Sequence, residues 1–351
     1  MVKRAVVGIA LAVAVVVIAV TAGAATNVLA LAPGSTGSVT CAGPSLTVTS
    51  QSASSLGVTC SSNPTTTTTT VPATTTTTTT TTQVQSGSWW TPPLGNQPWQ
   101  WELDHPLNLL SATDMGTADA LPSGAAAPKP VIYDIDGFEN PSSTISALHA
   151  QGAHVVCYIE VGTVGNYYAA SDEGQSTTYY AQLKAAGDLG TKQSGWPEYY
   201  LNVNSASTVA IEESMISECH AKGFDAIETD NDETWQYNTG FSISESNMVS
   251  YMDTLIGYAH SVGLGVIVKN PDDVGNTSFS NALEPLADGV ITEQCNQYST
   301  CSDLGMFLGH KAVFNAEYST ATASFCPTDI AKGINGAKFN VNLTGVRSPC
   351  Q

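Results

Sequence analysis

Beyond residue 130 two kinds of apolar pattern alternate along the chain. Short continuous runs of apolar and β-branched residues, such as Val155-Val156-Cys157-Tyr158-Ile159, are separated by longer segments whose apolar positions recur every three or four residues. A continuous run fits a strand buried on both faces, because a half-exposed strand carries polar residues at every second position. Eight strands are predicted on this basis: Val131–Asp136, His154–Glu160, Tyr199–Asn204, Asp225–Asp230, Leu264–Asn270, Asp288–Glu293, Lys311–Tyr318 and Lys338–Leu343. The intervening segments predict helices. Ser207–Lys222 puts Ile211, Met215 and Cys219 on one face; Ser244–Val262 does the same with Met248, Met252, Leu255 and Ala259, and Ser244 is its N-cap. Gly152, Gly223 and Gly263 fall just past a helix and just before a strand, where a left-handed residue closes the helix. Regular alternation of strand and helix predicts a parallel sheet. Eight such units in the roughly 260 residues that follow Trp89 predict an α/β fold of the (β/α)8 TIM-barrel type.

The first quarter of the chain has a different pattern. Residues 1–24 read as a signal peptide: Lys3 and Arg4, then the apolar run Ala5–Val20, then Ala22-Gly23-Ala24 as a small-residue cleavage site. A retained anchor is the alternative, since the apolar stretch approaches the ~20 residues that span a bilayer. Both place the remainder outside the cytoplasm, secreted or tethered at the cell surface. Residues 25–62 form a small segment rich in Ser, Thr and Gly, in which Cys41 pairs with Cys60. Residues 63–87 are a Thr-rich linker: 15 of the 18 residues from Thr65 to Thr82 are Thr. Such a tract has nothing apolar to bury and is expected to be disordered. Residues 88–351 are left as the folded domain.

Charge narrows the function. The chain holds 11 Lys+Arg against 30 Asp+Glu, and every acidic residue lies at or beyond Glu102. Without Lys3 and Arg4, 9 basic residues face 30 acidic ones, a formal charge of −21. No basic stripe is available for nucleic acid or an anionic membrane. Neutral or cationic partners are favoured, and a monomer is expected. No Gly-x-Gly-x-x-Gly or Walker motif is present, so no nucleotide is expected, and no Gly-x-Ser-x-Gly elbow marks a serine hydrolase. None of the six histidines falls at a predicted strand C-terminus; neither a metal nor a cofactor is expected.

In a barrel the chemistry sits at the C-terminal ends of the strands. Those ends are densely acidic: Asp134 and Asp136, Glu160, Glu228, Asp230 and Asp232, Glu293 and Glu317, interleaved with Asn204, Asn231, Lys269, Asn270 and Asn315. Paired carboxylates without metal or cofactor, in an exported protein, point to glycoside hydrolysis, where one carboxyl protonates the leaving oxygen and the other attacks or activates water. Trp99, Trp101, Trp196, Trp235, Tyr158 and Tyr318 either stack on sugar faces or pack the core.

The motifs Trp99-Gln-Trp-Glu-Leu103, Tyr133-Asp-Ile-Asp136, Cys157-Tyr158, Thr229-Asp-Asn-Asp232, Lys269-Asn270, Glu293-Gln-Cys295 and Glu317-Tyr318 resemble, in this order, glycoside hydrolase family 114, the endo-α-1,4-polygalactosaminidases. The resemblance implies a TIM barrel, Asp230 and Glu293 as the catalytic pair, and α-1,4-linked galactosamine polymer as substrate. Glu228-Thr229 and Glu160 depart from the family pattern. Such a polymer without N-acetyl groups is a polycation, which an acidic barrel mouth attracts. Asp134, Asp136, Tyr158, Glu160, Glu228, Asp232, Lys269, Asn270, Glu317, Tyr318 and Trp101 are then the substrate-binding candidates. Two alternatives stand beside this reading: a related barrel that cuts another polysaccharide, and a non-catalytic surface protein that holds a carbohydrate or polycation. Export also predicts disulfides, Cys295–Cys301 and Cys326–Cys350, with Cys157 and Cys219 as buried free thiols.

Overall fold

The computed structural model describes residues 88–95, 97–165 and 175–351, together with the backbone of six short strands between residues 5 and 61. The chain divides into two units, Met1–Val84 and Gln85–Gln351. In the first, Ala5–Ala10 pairs antiparallel with Val15–Val20 and Thr36–Val39, and Ser55–Ser61 pairs with Asn27–Ala30 and Ser45–Ser52. The Thr-rich tract and the Cys41–Cys60 pairing lie outside the described residues. No helix of the described residues is long and apolar enough to cross a membrane.

The second unit contains the predicted barrel. Eight parallel strands follow one another in spatial order: β1 (Trp99–Glu102), β2 (Ile132–Asp136), β3 (His154–Glu160), β4 (Ala226–Asp230), β5 (Gly265–Lys269), β6 (Gly289–Glu293), β7 (Ala312–Glu317) and β8 (Asn335–Phe339). A short antiparallel strand, Arg347–Pro349, pairs with β8 and returns the chain to β1. There the Leu103 N–H donates to the Leu343 carbonyl at 3.0 Å, and the buried Arg347 guanidinium donates to the Trp99 carbonyl and, at 2.6 Å, to Asp119.

Three strand predictions are corrected. β1 was not predicted, because Gln100 and Glu102 interrupt its apolar run. Both are fully buried, and the Gln100 amide donates to the carbonyls of Thr113, Asp114 and Gly345. The predicted Tyr199–Asn204 strand is Glu198–Leu201 and lies outside the barrel, paired antiparallel with Thr163–Gly165 and Leu189–Lys192. A four-residue apolar run has no period that separates a core strand from such a ribbon. The last barrel strand is Asn335–Phe339 rather than Lys338–Leu343.

Side chains alternate across the strands into two cores. Trp99, Trp101, Ile132, Val156, Ala226, Ile267, Ile291, Phe314 and Phe339 fill the barrel interior, where Trp99 meets Phe314 and Phe339 edge-on at 5.2 and 5.0 Å. Val155, Ile227, Val266, Val290 and Val313 face outward to the helices. The helices include α1 (Ser142–His149) and α2 (Gln175–Ala186); α3 (Ala206–Lys222) buries Ile211, Met215 and Cys219, and α4 (Glu245–Val262) buries Met248, Met252, Leu255 and Ala259 behind a Ser244–Asn247 capping box. Gly223 and Gly263 close these helices at φ 95° and 92°, as predicted.

Cys295–Cys301 and Cys326–Cys350 are bridged as expected. The free thiols are corrected: Cys157 and Cys219 form a disulfide between β3 and α3. Cys157 follows the inward Val156 and so points at the helix layer, where Cys219 occupies the buried face. Gly137 leaves the space, since a Cβ there would lie 2.3 Å from the Cys157 sulfur.

Candidate active site

Inward positions at the C-terminal ends of β4, β5 and β6 carry Asp230, Lys269 and Glu293. Lys269 is 3 % exposed. Its ammonium donates to Asp230 Oδ1 at 3.1 Å and lies 3.3 Å from Glu293 Oε2 and 3.3 Å from Glu228 Oε1. It also sits 4.6 Å from the centre of the Trp101 ring. Burial alone would lower the Lys269 pKa, but Asp230, Glu293 and Glu228 outweigh it and hold the pKa well above the ordinary range. The chain therefore keeps a permanent cation between two half-exposed carboxylates.

Each of those carboxylates has a cradle. Asp230 Oδ2 accepts from the Tyr158 hydroxyl at 2.6 Å and from the Asn231 amide at 3.2 Å. Asn231 adopts φ 60°, and its carbonyl would lie 1.8 Å from a Cβ on Gly162, so only glycine fits there. Glu293 Oε2 accepts from the Asn270 amide at 2.8 Å, and the Asn270 Oδ1 accepts from the Glu293 backbone N–H at 2.8 Å. That two-point clamp joins the ends of β5 and β6. The Tyr318 hydroxyl donates to Glu293 Oε1. Burial and the Glu293 charge raise the Tyr318 pKa well above its ordinary value.

On the buried side lie Glu228, Asp134 and Trp101, all essentially without solvent exposure. The Trp101 indole N–H donates to Glu228 Oε2 at 3.1 Å. Burial pushes Glu228 up to about 7, with Lys269 opposing. Burial and then Glu228 raise Asp134 well above the carboxylate range. Trp99 and Trp101 thus pack the barrel interior and offer no face to a sugar, while Trp196 is exposed and Trp235 packs on Phe279.

Of the other predicted residues, Asp232 reaches this centre through the Lys269 backbone and Glu160 stands in register with Asp230. Asp136 Oδ1 caps the turn after β2, accepting from Phe138 and Glu139 N–H at 2.7 Å each. Glu160 accepts from Gly165 N–H at 3.0 Å. Asp232 is buried and accepts from the Thr229 hydroxyl and the Lys269 N–H, and burial raises it to about 8. Glu317 is buried and accepts from Asn296 N–H at 2.9 Å.

Three acidic groups beside the centre were not predicted: Glu233, Asp273 and Glu198. Burial is the largest cause of each shift, raising Asp273 and Glu198 to about 7 and Glu233 well above its ordinary value, with Asp230 adding to Glu233 and Glu198. Glu233 and Asp273 sit just past β4 and β5, so loop positions directly beyond the strand ends carried the signal. Among the described residues one group has metal-ligand types, Glu102, His105 and Asp114, with donor atoms within 4.8 Å of one another. It braces a turn: Glu102 Oε1 accepts from Asp104 and His105 N–H, and Asp114 Oδ2 from Asn108 N–H.

Two carboxylates thus stand on either side of a buried ammonium at the C-terminal face of the barrel. The sequence model of glycoside-hydrolase family GH114 matches residues 78–350. The chain belongs to family GH114. As a GH114 member it is a glycosidase. Among solved structures, Ega3 of Aspergillus fumigatus, crystallised in complex with galactosamine, is similar at 26% identity with a TM-score of 0.60, covering 76% of this chain and 99% of that one. The glycoside hydrolase domain of PelA from Pseudomonas aeruginosa is similar at 12% identity with a TM-score of 0.47, covering 70% and 96%. No curated protein matches the chain.

Proposed function

We propose that this GH114 glycosidase is exported and cleaves polysaccharide of α-1,4-linked galactosamine, with Asp230 and Glu293 as its catalytic pair. One observation carries the reading: oxygens of both carboxylates approach the same Lys269 ammonium, at 3.1 and 3.3 Å. Those two oxygens are therefore no farther apart than the two distances together. Inverting glycosidases separate their carboxyl groups by ~6.5–9.5 Å to admit a water, and retaining ones by ~5–5.5 Å. The proposal takes the retaining route, which the anomer first released decides. One carboxyl group protonates the glycosidic oxygen as the bond to the anomeric carbon breaks, and the other carboxylate bonds to that carbon. Water, deprotonated by the first residue, then releases the sugar. Lys269 holds both groups in place from the buried side.

The amino-sugar substrate is supported by the galactosamine bound to the similar Ega3 and by a formal charge of −21 after residue 101. A polycationic chain is drawn to such a surface, and its ammonium groups find carboxylates around the mouth. Export is supported by the leader pattern and by three disulfides among the described residues. The test is incubation with deacetylated and with N-acetylated α-1,4-galactosamine polymer, reading new reducing ends and their first-formed anomer. New α-anomeric ends from the deacetylated polymer are expected. Binding without cleavage would favour a non-catalytic surface protein, and β-anomeric ends would show inversion.

A further inference from the structure

We propose that Asp134 is carried as a neutral carboxylic acid that donates its proton to Glu228, and that this pair positions Lys269 between Asp230 and Glu293. The proposal rests on the reading of those two residues as the catalytic pair. Asp134 lies on β2, in register with Trp101 of β1 and Val156 of β3, and is 1 % exposed. Neither of its oxygens receives a hydrogen from any N–H or hydroxyl donor. The fully buried carboxyl of Glu228 interacts with it, and Trp101, paired in register with Asp134, donates its indole N–H to Glu228 Oε2 at 3.1 Å.

Two carboxyl groups in contact and shielded from water do not both ionise; one proton is shared between them. Its location follows from the remaining partners. Glu228 has the Trp101 N–H on Oε2 and the Lys269 ammonium 3.3 Å from Oε1, and both favour its anion. Asp134 has no donor, so an anion there would be left bare in the barrel interior. The proton stays on Asp134 and its O–H points at Glu228. The groups around the pair are Trp101 on β1, Tyr158 on β3, Asp230 on β4, Lys269 on β5 and Glu293 on β6. With Glu228 fixed as an anion, Lys269 is held by three carboxylates of which only two are half-exposed. Asp134 is thus a positioning residue: it touches no substrate and acts through Glu228 and Lys269.

The first test is the infrared difference spectrum between the wild-type chain and Asp134→Asn near pH 7. The carbonyl stretch of a protonated carboxylic acid is expected in the wild type and absent from the variant. Loss of carboxylate bands instead would overturn the proposal, whatever the activity. Kinetics give the second test. Asp134→Leu leaves Glu228 without its donor, so kcat should fall roughly tenfold or more, as when a buried charged acceptor loses its partner. KM should change little, and the acid limb of the pH profile should move upward. Asp134→Asn restores an N–H donor of the same shape and should recover most of kcat together with the wild-type limb. If Asn is as impaired as Leu, the site needs a charge at residue 134 and the proposal fails. If Leu is as active as the wild type, the positioning role fails. A wild-type chain that shows the acid band but cleaves no polymer would leave the proton where it is assigned and overturn the catalytic reading.

Discussion

Lys269 carries the greatest electrostatic demand of any residue in the site. Three carboxylates converge on its ammonium in a nearly dry barrel interior, and removing the cation leaves them facing one another. Lys269→Met should therefore lower the unfolding free energy by about 3–5 kcal/mol, the usual consequence of breaking a buried ion pair from one side. Urea denaturation measures this, and a loss below about 1 kcal/mol would mean that the carboxylates simply take up protons. At this scale the sequence was legible where the side chain points inward at a strand end. Asp230, Lys269 and Glu293 fall there, and so were found together. Asp232 and Asp136 stand two residues further along their loops or turn back onto backbone N–H groups, which strand-end counting does not reveal. Trp101 was a stacking candidate because sequence does not distinguish the mouth of a barrel from its packed interior.

Individual elements are tied to the barrel by two devices. The Cys157–Cys219 bridge links β3 to α3 across 62 residues. Replacing both with alanine should lower stability by about 2–4 kcal/mol in calorimetry, and an unchanged melting temperature would show that the packing of α3 suffices without it. The pairing was hidden because both cysteines occupy ordinary apolar positions of their patterns; only the outward phase of β3 brings them together. The second device lies at the start of the domain. Trp89 stacks on His260 at 3.9 Å and donates to Asp288 at 3.0 Å, and Trp90 stacks on His154 at 4.4 Å. The Trp90 carbonyl approaches so closely that a Cβ on Gly265 would meet it at 2.2 Å. A chain beginning at Gln85 should melt with the full-length protein, whereas one beginning at Leu94 should melt several degrees lower. Equal melting of the two would show that this strap contributes nothing. Strands with strong apolar runs were legible; β1 was not, because Gln100 and Glu102 are buried, the first donating to the Thr113, Asp114 and Gly345 carbonyls and the second accepting from the Asp104 and His105 N–H groups.

Over the whole molecule the acidity that was plain in the composition is folded into a set of buried acids. Burial raises Asp232 to about 8, Glu102, Glu198 and Asp273 to about 7, and Asp134 well above the carboxylate range. Unfolded, such groups release their protons near pH 4. Between there and pH 7–8 the folded state holds more protons than the unfolded state, so its stability falls as pH rises through that window. Asp288 opposes this only at lower pH: burial raises it, but hydrogen bonds from His260, Trp89 and the Val266 N–H leave it lowered overall. Repulsion among the many surface carboxylates acts in the same direction as the buried acids. The melting temperature should be higher at pH 5 than at pH 8, and the reverse order would contradict the buried protonated acids. The same charge should draw in a polycation, and added salt should weaken that capture, since the Debye length is only ~10 Å at 0.1 M. On the proposed mechanism, proton transfer and attack on bound polymer fall to Asp230 and Glu293. The most direct test compares release of reducing ends from α-1,4-galactosamine polymer by the wild type, Asp230→Asn and Glu293→Gln. Each variant should cleave roughly 10²–10⁴-fold more slowly, the usual cost of losing a positioned proton-transfer group, while binding the polymer with unchanged salt dependence. Cleavage by both variants at the wild-type rate would contradict the assignment of the pair.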